Sequence, residues 1–449
     1  MEGPLQEDGV DRGAARRVDR ALWLYSALVV VATAAAWTVY RTHGKRWYYR
    51  PLFLHEDRFH DLTNYTGKIA HLQNGAAALA RGLPVFNYPA PAAYVYKFLL
   101  HFHQHAVTVY LALLGAFTLG FAAVAWRASG AGRRGRLGAV AAIATTALLG
   151  FPLWFTADRG NIEGVVWALS AAGVCLLLRS RYWSAAALIG AAASVKPFPA
   201  LLFLLLLGRR RYWETGLGLL VGGVLFVSAL WGLGPNPWQA YIDLKPGVTR
   251  YMEAQGMNLG AAQEARFEHS LLDGMKSAAL ARKVGGFDSQ KAAEMTEYYL
   301  AQPQRWAAMT TLMGLYLPMA AIGLGLLIAL FYRMPILNQA TAAGVAITLF
   351  PLVSSEYTLL HLYVPFGAFV VFAAREVGTG QAEFPGGAMM ALAAIYALLF
   401  SPLTFLQIYA GDAKLLLLLA LLFVARRWPM RSAYFGDRPA ARSEAGNPC

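Results

Sequence analysis

Charge is scarce in this chain. Asp, Glu, Lys and Arg make up 14% of its 449 residues, against about 25% in ordinary soluble domains. That is too little to coat a water-facing globule of this length. Cysteine is scarcer still: Cys175 lies inside an apolar run and Cys449 is the last residue. The two are not placed to form a structural disulfide and lack metal-ligand spacing, so they say nothing about the compartment. The motifs of soluble enzymes are missing too, with no P-loop, no GxGxxG after a strand, no HExxH and no GxSxG. No internal repeat of the kind many secondary transporters carry is visible.

Apolar length is what the chain has instead. Hydrophobic residues account for 57% of it, and Ala21–Val39, Ala106–Trp126 and Leu217–Leu233 are long, uncharged apolar stretches. Each can cross ~30 Å of hydrocarbon. Further spans are expected near 137–155, 162–178, 306–332, 338–353, 358–374, 386–405 and 413–425. The pattern predicts an all-α, polytopic transmembrane bundle of about 10–12 membrane segments, and it excludes a soluble enzyme, a disordered chain and a coiled coil.

The formal charge is +14, from 39 Lys and Arg against 25 Asp and Glu. In a soluble protein that excess would suggest nucleic acid. In a membrane protein it marks cytosolic loops, and no nucleic-acid partner is expected. Residues 1–20 read as a cytosolic tail ahead of an uncleaved anchor, 21–425 as one transmembrane domain and 426–449 as a second cytosolic tail. Long outer loops fall at about 40–105 and 234–305, with short outer turns near 156–161, 354–357 and 406–412. The exception is Ser184–Leu207. Crossing once, it would put Arg209, Arg210 and Arg211 outside, and Lys196-Pro197-Phe198-Pro199 interrupts it. Two half-helices that dip in and return repair both problems, with the break lining a cavity.

Three outer-side clusters could carry chemistry. The first loop holds His55, Glu56, Asp57, Arg58, His60 and Asp61, followed by Tyr65, Ile69, Leu72 and Ala76 on one helical face. Asp61 either caps that helix or acts as an acid or base. Metal ligation by His55, His60, Asp57 and Asp61 competes with a plain solvated loop. The second cluster is Asp158-Arg159-Gly160-Asn161-Ile162-Glu163. There Arg159 could grip a phosphate and Asn161 a polar ligand, or the turn could merely cap its helices. Glu163 falls just inside the next span and needs a partner or water. The third runs from Ser354 through Glu356 and Tyr357 to His361, with Glu356 and His361 roughly on one face. His361 is either functional or a packing histidine. Lys196 in the broken segment must pair, meet water or meet a phosphate.

Together these features resemble the GT-C glycosyltransferases. More closely they resemble the polyprenol-phosphate-mannose-dependent α-1,2-mannosyltransferases of glycosyltransferase family 87. Asp61-Leu62-x-x-Tyr65 looks like that family's Asp-[Phe/Leu]-x-x-Tyr, and Tyr88-Pro89-x-Pro91 is similar to its Tyr-Pro-Pro stretch, interrupted by Ala90. Gly160-Asn161 resembles its Gly-[Gln/Asn] turn, and Ala193 to Pro199 resembles its Lys-x-x-Pro segment. Ser354 to His361 is similar to its Ser-rich, His-containing segment, less exactly.

The resemblance implies inverting transfer of a sugar, mannose at family level, from a polyprenyl phosphate to a lipid or glycan acceptor. Asp61 would be the general base. Arg159, His361 and Lys196 would serve the donor phosphate, and Asp57, Asn161, Glu163, Glu356 and Tyr65 would bind substrate. Neither a metal nor any other cofactor is expected. The expected setting is the inner cell membrane, with the N-terminus cytosolic, the active site extracytoplasmic, and a monomer among membrane lipids. A transporter or flippase of lipid-linked sugars is the rival reading, and a scaffold for envelope assembly a further one.

Overall fold

The computed structural model describes residues 12–43, 58–70, 86–130, 137–257, 268–284 and 307–436. Asp57 and His55 fall outside them. Among the described residues the chain is helical throughout, with an isolated bridge between Glu268 and Ser355 in place of any strand. The helices are α1 (Arg12–His43), α2 (His60–Ala70), α3 (Ala90–Leu100), α4 (Ala106–Ser129), α5 (Leu137–Leu149) and α6 (Phe151–Arg159). Then come α7 (Glu163–Leu178), α8 (Tyr182–Val195), α9 (Phe203–Leu207), α10 (Tyr212–Trp231), α11 (Pro237–Met257) and α12 (Leu271–Val284). The last five are α13 (Ala307–Phe331), α14 (Ile336–Leu349), α15 (Tyr363–Phe372), α16 (Gly386–Leu399) and α17 (Ala410–Arg427).

Six of the described segments are long and apolar enough to cross a membrane: Gly13–Thr42, His103–Ser129, Leu137–Arg159, Tyr212–Trp231, Gly314–Phe331 and Glu356–Val377. The last is almost wholly enclosed by its neighbours, whereas α4 and α13 present most of their surface outward. Helix α10 carries its own thickness marks. Tyr212 and Trp213 at one end and Trp231 at the other are exposed, and the two Trp stand ~27 Å apart along a helix rising ~1.5 Å per residue.

Several helices are shorter than the apolar runs that encode them. The run near 137–155 bends at Gly150–Pro152 into α5 and α6, and Phe151 N–H leaves the helical ladder to bond Phe400 O at 2.8 Å. Helix α1 begins at Arg12, nine residues before the apolar run. Residues past α17 are also built into the bundle. Asn338 Nδ2 donates to Trp428 O at 3.0 Å, its Oδ1 accepts from Met430 N at 2.7 Å, and the Glu376 carboxylate takes the Ser432 hydroxyl and Tyr434 N–H.

The segment around Lys196 leaves one end of the bundle and returns to it. Arg209 Nη1 donates to the Tyr182 hydroxyl at 3.0 Å and Arg211 lies 4.3 Å over the Tyr182 ring. The start of α8 and the end of α9 therefore meet, and the Pro197–Pro199 break forms the far tip. The same end gathers Arg375 stacked 4.4 Å from the Tyr434 ring, Arg209 bonded to Phe435 O, Asp19 packed on Gly138 and Arg17 on Gly386. The segments sorted to one side by their basic residues are thus one end of a folded object.

The hairpin is held by small residues, as is usual where lipid supplies no hydrophobic drive between helices. A Cβ on Gly190 of α8 would stand 2.1 Å from Gly218 O of α10. Gly190→Val is expected to cost about 1–3 kcal/mol through overpacking, read as a lowered melting midpoint of the purified protein in detergent. An unchanged midpoint would show that the contact does not hold the hairpin.

Candidate functional site

At the opposite end of the bundle, α2 docks onto the turn between α6 and α7. Phe59 N–H donates to Asp158 O at 2.7 Å, and Gly160, at φ 62°, brings the turn so close that a Cβ there would stand 2.9 Å from the Leu62 Cβ. Only glycine enters that left-handed region without strain. Tyr110 of α4 steadies the turn from beneath, its hydroxyl placed 2.8 Å from Asn161 O and 3.1 Å from Thr156 O.

This docking sets Asp61 against the second cluster. Asn161 Nδ2 donates to Asp61 Oδ2 at 2.6 Å, and Arg159 Nη2 lies 3.8 Å from Asp61 Oδ1. The carboxylate is therefore committed across the site, to residues a hundred positions away, and remains partly open at 16% side-chain exposure. Asn161 works on both sides: its Oδ1 accepts Glu163 N–H at 2.9 Å, which satisfies one free amide at the start of α7.

Glu163 forms the next link. Its Oε2 takes Lys196 Nζ at 2.6 Å and its Oε1 meets His361 Nε2 at 2.7 Å, all three side chains being buried. A carboxylate out of bulk water needs such partners. Lys196 also stands between two aromatic faces, 5.2 Å from the Tyr88 ring centroid and 4.9 Å from that of Tyr357. Arg159, Asp61, Asn161, Glu163, Lys196 and His361 thus form one connected polar line drawn from four separate stretches of chain.

Beside that line opens a cavity of about 860 Å³. Asn87, Tyr88, Glu163, Lys196, Tyr357 and Thr358 make its polar wall, while Phe198, Leu201, Phe226, Leu324, Ile347 and Phe350 extend it as an apolar chamber. Tyr65 ties α2 to this wall by donating to Asn87 Oδ1 at 2.9 Å and stacking 4.7 Å from Tyr96. Burial, and then the Asp61 charge, raises the Tyr65 phenol pKa above its ordinary value. Lys68 covers the other side of that ring at 4.3 Å, and burial lowers its pKa against the opposing pull of Asp61.

Two residues of the third cluster sit differently from their expected roles. Glu356 and His361, expected to share a face, lie in a 3-10 turn (Glu356–Leu362) that sends them to different partners. Glu356 Oε2 pairs with Lys414 Nζ at 2.5 Å, both wholly buried, with Lys414 5.3 Å from the Phe151 ring centroid. Neither Glu356 nor His361 lines the large cavity. His361 stands behind Glu163, and Glu356 fastens the turn to α17. Lys414 was not among the sequence candidates, and Tyr88 and Tyr357 entered only as members of their motifs, without a role. A lysine just inside a predicted span was the available signal for Lys414, since it needs a counter-charge.

The profile of glycosyltransferase family 87 matches residues 86–355, more than half the chain. Searches of curated proteins and of solved structures gave no match. The matched stretch contains Arg159, Asn161, Glu163, Lys196 and every lining residue of the large cavity except Tyr357 and Thr358, while Asp61, Tyr65, Glu356 and His361 lie outside it. Apolar helices of membrane-crossing length and a family match over the polar line and its cavity lead to one assignment: the chain belongs to glycosyltransferase family 87 and is a membrane glycosyltransferase.

Proposed function

We propose that the enzyme moves a sugar, mannose by family expectation, from a polyprenyl phosphate to a hydroxyl of a lipid or glycan acceptor on the extracytoplasmic face. The observation that carries this reading is the pairing of a partly open carboxylate, Asp61, fixed by Asn161 at 2.6 Å, with an adjoining chamber that is apolar inside and charged at one wall. An isoprenoid chain suits the apolar part, and the phosphate suits the wall.

Asp61 accepts the proton of the acceptor hydroxyl as that oxygen bonds to the anomeric carbon. The bond from the anomeric carbon to the phosphate oxygen breaks, its electron pair leaves with the phosphate, and a β-linked donor gives an α-linked product. Arg159 and Lys196 supply positive charge and N–H donors as the diester becomes a monoester. His361 acts through Glu163 by holding it in place. Asn161 sets the base, Tyr65 and Asn87 shape the entrance, and Glu356 supports the wall from behind. A carboxylate base with a good leaving group completes the step without a metal, and no other cofactor takes part. The basic end then faces the cytosol, consistent with basic residues collecting there, and the enzyme acts as a monomer.

The test supplies membranes containing the chain with radiolabelled polyprenyl-phosphate mannose and follows label into lipid and glycan fractions. Label appearing in a new glycosidic product supports the reading. Label that crosses the bilayer still attached to polyprenyl phosphate would overturn it in favour of a flippase.

A further inference from the structure

The charges that line the large cavity do not balance. Three lining residues are ionic: Glu163, Lys196 and Lys245. Glu163 cancels Lys196 at 2.6 Å, and Arg159, held near Asp61, is not part of the lining. The remaining positive charge belongs to Lys245 on α11, for which the described residues show no ion pair. Lys245 is exposed, while the chamber it lines is apolar over most of its wall.

Helix α11 is built to present it. Tyr241, Lys245 and Thr249 recur every four residues, so they share one helical face, and all three line the cavity. Between them Leu244 and Val248 fill the apolar side of the same wall. On the same helix Asp243 accepts from Gln239 at 3.2 Å, two positions from Tyr241 and from Lys245 and so off the face that they share with Thr249. Trp238 and Tyr241, with rings 5.8 Å apart, are both exposed, as residues at a membrane interface commonly are.

We propose that Lys245, with Tyr241 and Thr249 as hydroxyl donors beside it, is a second phosphate-binding arm of the cavity, facing the wall that carries Lys196. This rests on the reading that the donor is a lipid-linked sugar phosphate. The chemistry calls for such an arm. A phosphodiester carries one negative charge and a monoester up to two, because its second pKa is about 6. The charge gained as the sugar departs falls on the phosphate. Lys196 shares its charge with Glu163 at 2.6 Å, so a lysine that has no ion pair among the described residues adds opposing charge that Lys196 alone does not supply.

The experiment measures binding of radiolabelled polyprenyl phosphate to the purified full-length chain in detergent, for the parent, Lys245→Ala and Lys245→Arg. Loss of one charge-assisted contact is expected to raise the Kd of Lys245→Ala about 10- to 100-fold, while Lys245→Arg stays within a few fold. The salt dependence of binding should be shallower in Lys245→Ala. Inorganic phosphate at equal concentration should not displace the lipid, which separates a lipid phosphate from the free ion; displacement by it would overturn the lipid arm. Parent-like binding by Lys245→Ala overturns the proposal. Binding by the parent that depends on Lys245 but leads to no sugar transfer would support the arm and overturn the donor reading alone. A parent that does not bind the lipid overturns both.

Discussion

Membranes carrying Asp61→Asn are expected to transfer sugar about 100- to 10,000-fold more slowly than those carrying the parent, with expression and thermal unfolding unchanged. The substitution keeps an oxygen where Asn161 Nδ2 donates at 2.6 Å, so α2 remains docked on the α6–α7 turn. The Arg159 contact that it weakens is 3.8 Å long and a third exposed on the Arg159 side. Such pairs contribute about 0–1 kcal/mol to stability. What disappears is the one property an amide cannot imitate, a carboxylate that accepts the proton of the acceptor hydroxyl as the new bond forms. The radiolabel assay on membranes with matched protein amounts decides the matter. Turnover within threefold of the parent would remove Asp61 from the chemistry and leave it as a docking residue.

Glu163→Gln is expected to do more damage to the fold. The amide leaves Lys196 and His361 facing an uncharged group, and breaking one partner out of a buried pair costs about 3–5 kcal/mol. Both the melting midpoint and the transfer rate should fall. Adding Lys196→Met to Glu163→Gln should restore much of the midpoint, because no orphaned ammonium remains, yet leave transfer lost. Should the double variant prove as unstable as the single one, the cost of Glu163→Gln would have some origin other than the stranded charge. The two experiments separate roles that distance alone cannot: action on substrate, proposed for Asp61, and holding the cations of the wall in place, proposed for Glu163.

The sequence announced the bundle through its apolar runs and low charge, and it announced the hairpin through three arginines and a Lys-Pro-Phe-Pro break that no single crossing could accommodate. Asp61, Arg159, Asn161, Glu163 and Lys196 were legible as candidates from where they fall on the membrane path. Asp61, Arg159, Asn161 and Glu163 are polar residues on the outer side of the membrane path, and Lys196 is an ammonium inside a broken apolar segment. Their partners were not legible. Nothing local to Glu163 points to His361, 198 positions away, and nothing near Glu356 points to Lys414. Helical spacing put Glu356 and His361 on a common face, and the 3-10 geometry of that turn separated them. The family profile begins at residue 86 and so leaves out Asp61, whose place in the site is carried by its geometry alone.

The hairpin that carries Lys196 has a consequence for how the protein is made. A segment whose two ends return to the same side cannot be threaded across the bilayer in the way α4 or α10 can. Its tip ends in an ammonium that hydrocarbon excludes, and its interrupted backbone needs protein around it. Helix α7, with Glu163 at its entrance, precedes the hairpin in the chain, and α10, with Gly218, follows it. The hairpin therefore settles once both neighbours are in the membrane, so the contact between Lys196 and Glu163 also marks the packing of this part of the bundle.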